Sequence, residues 1–416
     1  MKISRITTSD QRFTLPAAAG TDSIHTDPLY SYAVTLLELD DGEFGTGLAF
    51  TLGRGNEVVL RAIEAYVPYL VGRDLNDVMT RFAKFWRELA DESQLRWIGP
   101  QKGAIHLALA SISSALVDAW CRKHRKPLWK LLLDMPPAEL IDWVDLRYLE
   151  NLLTREQALS LLQQGQQQRP ANWESHELIT KGYPAYNTSV GWLGYGVDQL
   201  VNNCRAQIEA GFGALKIKVG SPRIEDDVRR LRAVRGAVGS DIRMMTDANQ
   251  IWSVPQAIAA GKQLRDLDCF WLEEPTHPDD ILGHQQIARE IAPLRIATGE
   301  CVSNAILFKN LIQAKGVHFL QADVLRLGGL PEFLAVALMG KQAGVPVVPH
   351  IGDMGQIHQH LVVWQAIALG VEPYHLEYIP HLREHFAEPV QVRRGRYQLP
   401  RLPGASTRLT NMSLRR

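Results

Sequence analysis

From Tyr183 onward the 416-residue chain reads as short apolar runs alternating with stretches of helical patterning, and no other feature restricts its fold as tightly. The runs are PAYNTS, ALKIKVG, RMMTDAN, CFWLEEP, LRIATGE, HFLQADV, VPVVPH and YHLEY. Such β-α alternation predicts parallel strands joined by crossover helices. Eight strands of this kind either close a barrel or lie in a doubly wound sheet. Nearly every run ends in a residue capable of chemistry, and this favours the barrel. In a barrel all carboxyl ends converge on one mouth, whereas an open sheet gathers only those near its switch point. No Gly-rich phosphate loop follows any of the runs.

Taken in order, the polar residues at the strand ends form a constellation. Lys216 and Lys218 stand two apart in KIKV and so project from one face of a strand. Asp247 and Asn249 repeat that relation in TDAN. Glu273 lies in WLEEP, Glu300 in ATGE, Asp323 in QADV, His350 in VVPH and Glu377 in HLEY. Asp247, Glu273 and Glu300 follow one another at 26 and 27 residues, one β-α step each time. Oxygen ligands from three strands suit a hard cation that keeps positions open for substrate, which selects Mg²⁺ over Zn²⁺. Two lysines in an apolar strand are costly to bury unless paired or functional. Either they balance the carboxylates, or their pKa values are lowered by each other and by the cation, leaving one to act as a base. Asp323 and His350 end adjacent strands and are placed to form a hydrogen-bonded dyad that orients the imidazole.

These parts suit proton abstraction from the carbon beside a carboxylate. A metal holds that carboxylate and takes up charge as an enediolate forms, while a base serves one side and an acid the other. Dehydration and racemisation or epimerisation share this apparatus. A metal-dependent acid-sugar binding protein without turnover is the alternative from another class, and it would not need the strand-two lysine.

The first third of the chain has a different texture. SYAVTLLEL, residues 31–39, reads as a strand, and Asp41-Gly42 turns it into Glu43–Thr51. Helical patterning dominates from there to about Leu133, including Ile105–His124. The division expected is an α+β domain over 1–140, with 381–416 packing back onto it, and a catalytic barrel over 141–380. A polar, Gln-rich connector lies at 136–180, helical at Arg155–Gln168. The loop Gly20–Tyr30 carries Asp22, His25, Asp27 and Tyr30, a dense set of hydroxyl-binding side chains. Arg54 and Trp97 are further candidates, although Trp97 equally suits the core between the domains.

Lys+Arg and Asp+Glu both total 45, so no nucleic-acid or membrane partner is expected. MKISRITTSD lacks the apolar core of a secretory signal, and no uncharged apolar run reaches membrane-spanning length. Cys121, Cys204, Cys269 and Cys301 follow no metal-finger spacing. A cytoplasmic protein with reduced thiols is the expectation.

Lys-x-Lys, Asp-x-Asn, WLEEP, TGE and the Asp, His and Glu of strands six, seven and eight resemble the mandelate racemase branch of the enolase superfamily, over residues 183–380. The resemblance implies an α/β fold, a modified TIM barrel of the β7α type with an α+β capping domain. It also implies a Mg²⁺ cofactor and, by analogy, a homo-oligomer. Within the branch, HTDPLYS, FTLGRGNE, QLRWIGPQKG, KPLWKLLLDM, GYPAYNTS, PDDILGH and HLREHF are similar to L-fuconate dehydratases across almost the whole chain. The activity implied is dehydration of a small-molecule acid sugar, L-fuconate or a related aldonate, to the 2-keto-3-deoxy acid. Carried over, Lys218 removes the C2 proton, His350 helps the C3 hydroxyl leave, and Asp323 orients His350. Lys216 contacts the substrate carboxylate, and Glu377 supports the enediolate or a substrate hydroxyl. Asn249, Asp22, His25, Tyr30 and Trp97 complete the expected substrate contacts.

Three segments depart from that pattern. Ile351-Gly352-Asp353-Met354-Gly355-Gln356 follows His350 where the family has a stretch resembling AGGVGL. Cys301-Val302-Ser303-Asn304 stands in place of QCHN, and QADVLRLGG in place of QIDSCRLGS. These changes leave the reaction class intact and predict a substrate that need not be L-fuconate itself. Asp353 is expected near the mouth, where its carboxylate would repel a second substrate carboxylate and make diacids such as galactarate poor substrates.

Overall fold

The computed structural model describes residues 1–410; residues 411–416, the end of the segment expected to pack back onto the first domain, lie outside the described residues. The chain begins with an antiparallel sheet of β1 (Ile3–Phe13), β2 (Tyr30–Leu39) and β3 (Phe44–Thr51), in that spatial order. The β2–β3 hairpin turns where Asp41-Gly42 predicts, with Gly42 at φ +86°. β1 is not signalled by the sequence pattern, because only its end residues Ile3 and Phe13 are buried and the residues between are mostly polar.

Helix Gly103–Lys123 lies across β3. The approach is so close that a Cβ on Gly45 or Gly47 would meet the carbonyl oxygen of Ala115 or Ser111 at 2.1 or 1.8 Å. Gly47→Ala should therefore destabilise the protein by about 1–3 kcal/mol through overpacking. Thermal unfolding reads this as a lowered Tm, and an unchanged Tm would show that helix and sheet are not in register contact. Among the described residues this is the one helix long and apolar enough to cross a membrane, and most of it is buried inside the protein.

The second layer is the ring of strands. β4 (Tyr183–Gly191), β5 (Ala214–Lys218), β6 (Arg243–Asp247), β7 (Cys269–Glu273), β8 (Arg295–Thr298) and β9 (Phe319–Leu320) pair in parallel, each with the next. β10 (Leu376–Tyr378) then pairs in parallel with β4, which excludes the open doubly wound sheet. The expected seventh strand is an extended segment with a single bridge, Leu320 to Val347. Pro346 and Pro349 lack the N–H groups a ladder needs there. Val348 N–H donates to the Leu320 carbonyl at 2.8 Å and Gly352 N–H to the Glu377 carbonyl at 2.9 Å, so this segment still fills the gap between β9 and β10. A barrel with seven such strands and an amino-terminal cap is the modified TIM barrel that the resemblance implies.

Residues 136–180 contain the expected helix, Arg155–Gln168, begun by a Thr154–Gln157 capping box. It packs against helix Ile357–Ala368, where a Cβ on Gly165 would overlap the Ala368 carbonyl. The residues after 380 are shared between the two layers. A hairpin of β11 (Val392–Arg393) and β12 (Arg396–Tyr397) extends the barrel sheet at β4, while Thr407 donates to the Thr46 carbonyl of the cap at 2.6 Å.

Candidate active site

Strand periodicity builds the site in two storeys. Tyr186, Ala214, Met245, Trp271, Ala297, Phe319 and Val348 point into the barrel and form a small apolar core of their own. Two residues further along, on the same face, come Thr188, Lys216, Asp247, Glu273, Gln321 and His350. The polar groups therefore rest on an apolar plug and face the cap. Side chains that the sequence scatters over 160 residues, from Lys216 to Glu377, meet at one mouth.

Lys216 Nζ lies 2.6 Å from Glu273, 2.8 Å from Glu377 and 3.2 Å from Asp247. Lys218 Nζ lies 2.6 Å from Asp247 Oδ2 and donates to Asn249 Oδ1 at 2.8 Å. His350 Nδ1 is 2.9 Å from Asp323 Oδ2, and its Nε2 is 3.2 Å from Glu300 and 3.8 Å from Glu377. The dyad inferred from adjacent strands is thus formed.

The surrounding carboxylates govern the two lysines. Burial disfavours both ammonium groups, but the carboxylates prevail: Asp247 acts chiefly on Lys218, and Glu273 and Glu377 on Lys216. With protein groups alone both lysines are held above the ordinary lysine range; the lowering expected beside a divalent cation concerns the cation-filled site. The sequence shows their adjacency but not the carboxylates that β6, β7 and β10 bring around them. His350 is pushed up to about 9, with burial opposing and Glu300 and Asp323 prevailing.

Asp247, Glu273 and Glu300 each offer an oxygen within 4.8 Å of the others. Burial drives Glu273 up to about 8, and Asp247, Glu377 and Glu300 add to this against Lys216. Glu377 Oε2 is buried without a hydrogen-bond partner. A desolvated carboxylate cluster with charge in excess of its lysines, and with Glu300 partly open, fits a hard divalent cation that also takes substrate oxygens. Glu274, Glu300 and Cys301 make a second close grouping, but the Arg326 guanidinium lies 3.8 Å from the Cys301 sulfur and burial pushes that thiol up. That grouping suits a cation poorly.

A cavity of about 50 Å³ lies over these groups. Lys218, Asn249, Glu300, His350 and Glu377 line it from the barrel, and Asp22, His25 and Tyr30 from the cap. Sequence reasoning missed its remaining walls, Phe50, Leu52, Trp192, Met354 and Ile379, which carry no polar motif. It also missed Thr188, which donates to Glu377 Oε1, and the half-buried Arg326, which donates to the Glu300 carbonyl at 2.8 Å. The alternation through Tyr186 in PAYNTS was the available signal for Thr188. Larger grooves of 560 and 500 Å³ lie on other faces, without comparable groups.

The cap loop is braced within itself by Asp22 and tied to the barrel by Ser23. Asp22 accepts the N–H groups of Ile24 and His25 at 2.8 and 2.7 Å and lies 2.9 Å from His25 Nδ1, so its oxygens shape the loop. Ser23 Oγ donates to the Ala248 carbonyl at 2.7 Å. Trp97 requires correction. It is 91% exposed, neither lining the cavity nor packed between the layers, on the short helix Leu95–Ile98, which precedes the Lys102–Asp279 ion pair. Arg54 and Asp27 are likewise exposed and face each other at 3.6 Å. Asp353 is also misplaced by the sequence reading: it is fully buried and accepts the Ile379 N–H at 2.8 Å, behind the mouth.

Fold and site together define a capped barrel that holds a divalent cation beside a lysine and a histidine. The second half of the chain, residues 199–413, matches the enolase C-terminal domain-like family, and residues 2–132 match the mandelate racemase / muconate lactonizing enzyme N-terminal domain. The chain belongs to the enolase superfamily, in its mandelate racemase branch. It is 42% identical to human mitochondrial enolase superfamily member 1 over all of this chain and 95% of that protein. The crystal structure of that protein superposes with a TM-score of 0.94, over 98% of this chain and 94% of that one. It is 40% identical to L-galactonate dehydratase of Hypocrea jecorina over 95% of this chain and 89% of that protein. L-talarate/galactarate dehydratase from Salmonella typhimurium, solved with Mg and L-lyxarohydroxamate, is 26% identical with a TM-score of 0.77, covering 99% of this chain and 91% of that one. The cofactor is Mg²⁺, which solved relatives carry.

Proposed function

We propose that this protein is a Mg²⁺-dependent hydro-lyase that converts an aldonate of the L-galacto series to its 2-keto-3-deoxy acid. The observation that carries the reading is one cavity lined by Lys218, His350 and Glu300, with Asp323 hydrogen-bonded behind His350 and Asp247 and Glu273 grouped behind Glu300. Asp247, Glu273 and Glu300 would hold the cation. Bound Mg²⁺ supplies Lewis-acid polarisation of the substrate carboxylate and takes up carboxylate charge that otherwise faces the lysines. Lys216, buried beneath, steadies the same carboxylate. Lys218 Nζ accepts the C2 proton, and His350 Nε2 delivers a proton to the departing C3 hydroxyl while Asp323 holds its Nδ1.

The L-galacto series is favoured on two grounds. Segments along the chain resemble L-fuconate dehydratases, and an L-galactonate dehydratase is a 40% identical relative. L-Fuconate is L-galactonate without its C6 hydroxyl, and D-arabinonate shares the C2–C4 configuration. Diacids are disfavoured for a different reason than a repelling Asp353. The walls Phe50, Leu52, Met354 and Ile379 offer no cation to a second carboxylate. Measuring kcat/KM for L-fuconate, L-galactonate, D-arabinonate and galactarate with Mg²⁺ tests this. The three monoacids should lead, and galactarate as the best of the four would overturn the reading. NMR of the products in D₂O separates the rivals, since a racemase returns inverted or C2-deuterated substrate and a binding protein returns it unchanged.

A further inference from the structure

His358 lies in helix Ile357–Ala368, just after the loop 351–356 that departs from the family pattern, and it is fully buried. Its Nδ1–H donates to the Ile351 carbonyl at 2.8 Å, and its Nε2 accepts the Val324 N–H at 2.8 Å. That pair of bonds requires the neutral tautomer protonated on Nδ1, which burial favours. Val324 directly follows Asp323, and Ile351 directly follows His350. One imidazole thus spans the two backbones immediately behind the Asp323–His350 hydrogen bond.

The sheet itself leaves this place weakly joined. β9 is two residues long, and its link to the segment carrying His350 is a single bridge at Leu320 and Val347. Three residues nearer the mouth, no ladder holds Asp323 and His350 in register. The imidazole of His358 supplies the missing cross-link. The loop is shaped around it, for a Cβ on Gly355 would meet His358 Nδ1 at 2.7 Å. Asp323 Oδ1 also accepts the Leu325 N–H at 2.8 Å, so its carboxylate is fixed on one side while Oδ2 faces His350.

We propose that His358 is a positioning residue for the proton-donating half of the reaction, setting the Asp323–His350 geometry by tying the two backbones that carry it. The inference rests on the reading of His350 as the proton donor. Lys218 lies on β5 and does not touch this cross-link, so removal of the C2 proton should survive its loss.

His358→Phe fills the space and removes both hydrogen bonds. Keto-acid formation should fall about 10–100-fold in kcat, while KM and C2 exchange with D₂O stay within about twofold. His358→Gln, which restores an amide at the ring's position, should recover part of the loss. Gly355→Ala, which pushes the ring from its seat, should reproduce the split. If His358→Phe shows no cooperative unfolding transition, the other two variants read the same difference. Exchange and dehydration falling together would indicate a general structural role and overturn the proposal, as would dehydration left unchanged. Wild-type protein that forms no keto acid from any of the four acid sugars overturns the functional reading and this one with it. An active wild type beside an indifferent His358→Phe overturns this one alone.

Discussion

Lys218→Ala should abolish both keto-acid formation and exchange of the C2 proton with D₂O, a loss of about 10²–10⁴-fold as expected for a general base. The side chain reaches the cavity from β5 and is the buried amine that lines it. His350→Asn should behave differently, continuing to exchange the C2 proton while making no keto acid, because only the departure of the C3 hydroxyl needs its proton. Exchange that survives in Lys218→Ala but not in His350→Asn would reverse the two roles and place the other face of the sugar toward Lys218. Lys218 also lies 2.6 Å from Asp247, so Mg²⁺ affinity of the variant should be measured beside its turnover.

Exhaustive chelation with EDTA should remove activity by on the order of 10³-fold or more, and added Mg²⁺ should restore it, since several kcal/mol of transition-state stabilisation depends on the cation. Mg²⁺ should also raise Tm, because it binds the folded carboxylate cluster and not the unfolded chain. Glu300→Gln removes one ligand charge at constant volume. It should lose most activity yet keep a cooperative unfolding transition, because Glu300 stands at the partly open side of the cluster. Full turnover after complete chelation would sink the assignment of Asp247, Glu273 and Glu300 as ligands.

The barrel was legible because its signal is periodic. Alternation puts Met245 and Asp247, or Trp271 and Glu273, on one face, and the β-α step repeats that pattern around the ring. What escaped the sequence lacked a period or lay in tertiary contacts. β1 is an edge strand whose polar residues hide its pairing with β2. The proline-broken segment before His350 carries strand composition without a ladder. Trp97 suits a wall or a core by its type, yet its exposure depends on where the segment 95–102 is tied, which no local pattern encodes. Asp353 follows the mouth by three residues, but the chain turns inward there and the Ile379 amide captures its carboxylate. The raised lysine pKa values required three carboxylates from other strands to be placed in space. His358 sits in a largely buried helix beside Gln359 and His360, where its spacing from His350 gives no hint that both ring nitrogens are engaged.

The hydrogen bond from Ser23 to the Ala248 carbonyl joins the substrate-facing loop to the peptide between Asp247 and Asn249. On the proposed reading, a sugar held beneath this loop would steady the strand end that carries Asp247, and a cation bound by Asp247 would steady the loop's anchor in turn. Cation and sugar would then be heterotropic ligands of one another, coupled directly through the substrate carboxylate and also through this backbone oxygen. Reciprocity makes the tightening equal in both directions: whatever factor Mg²⁺ adds to the affinity for the sugar, the sugar returns to the affinity for Mg²⁺.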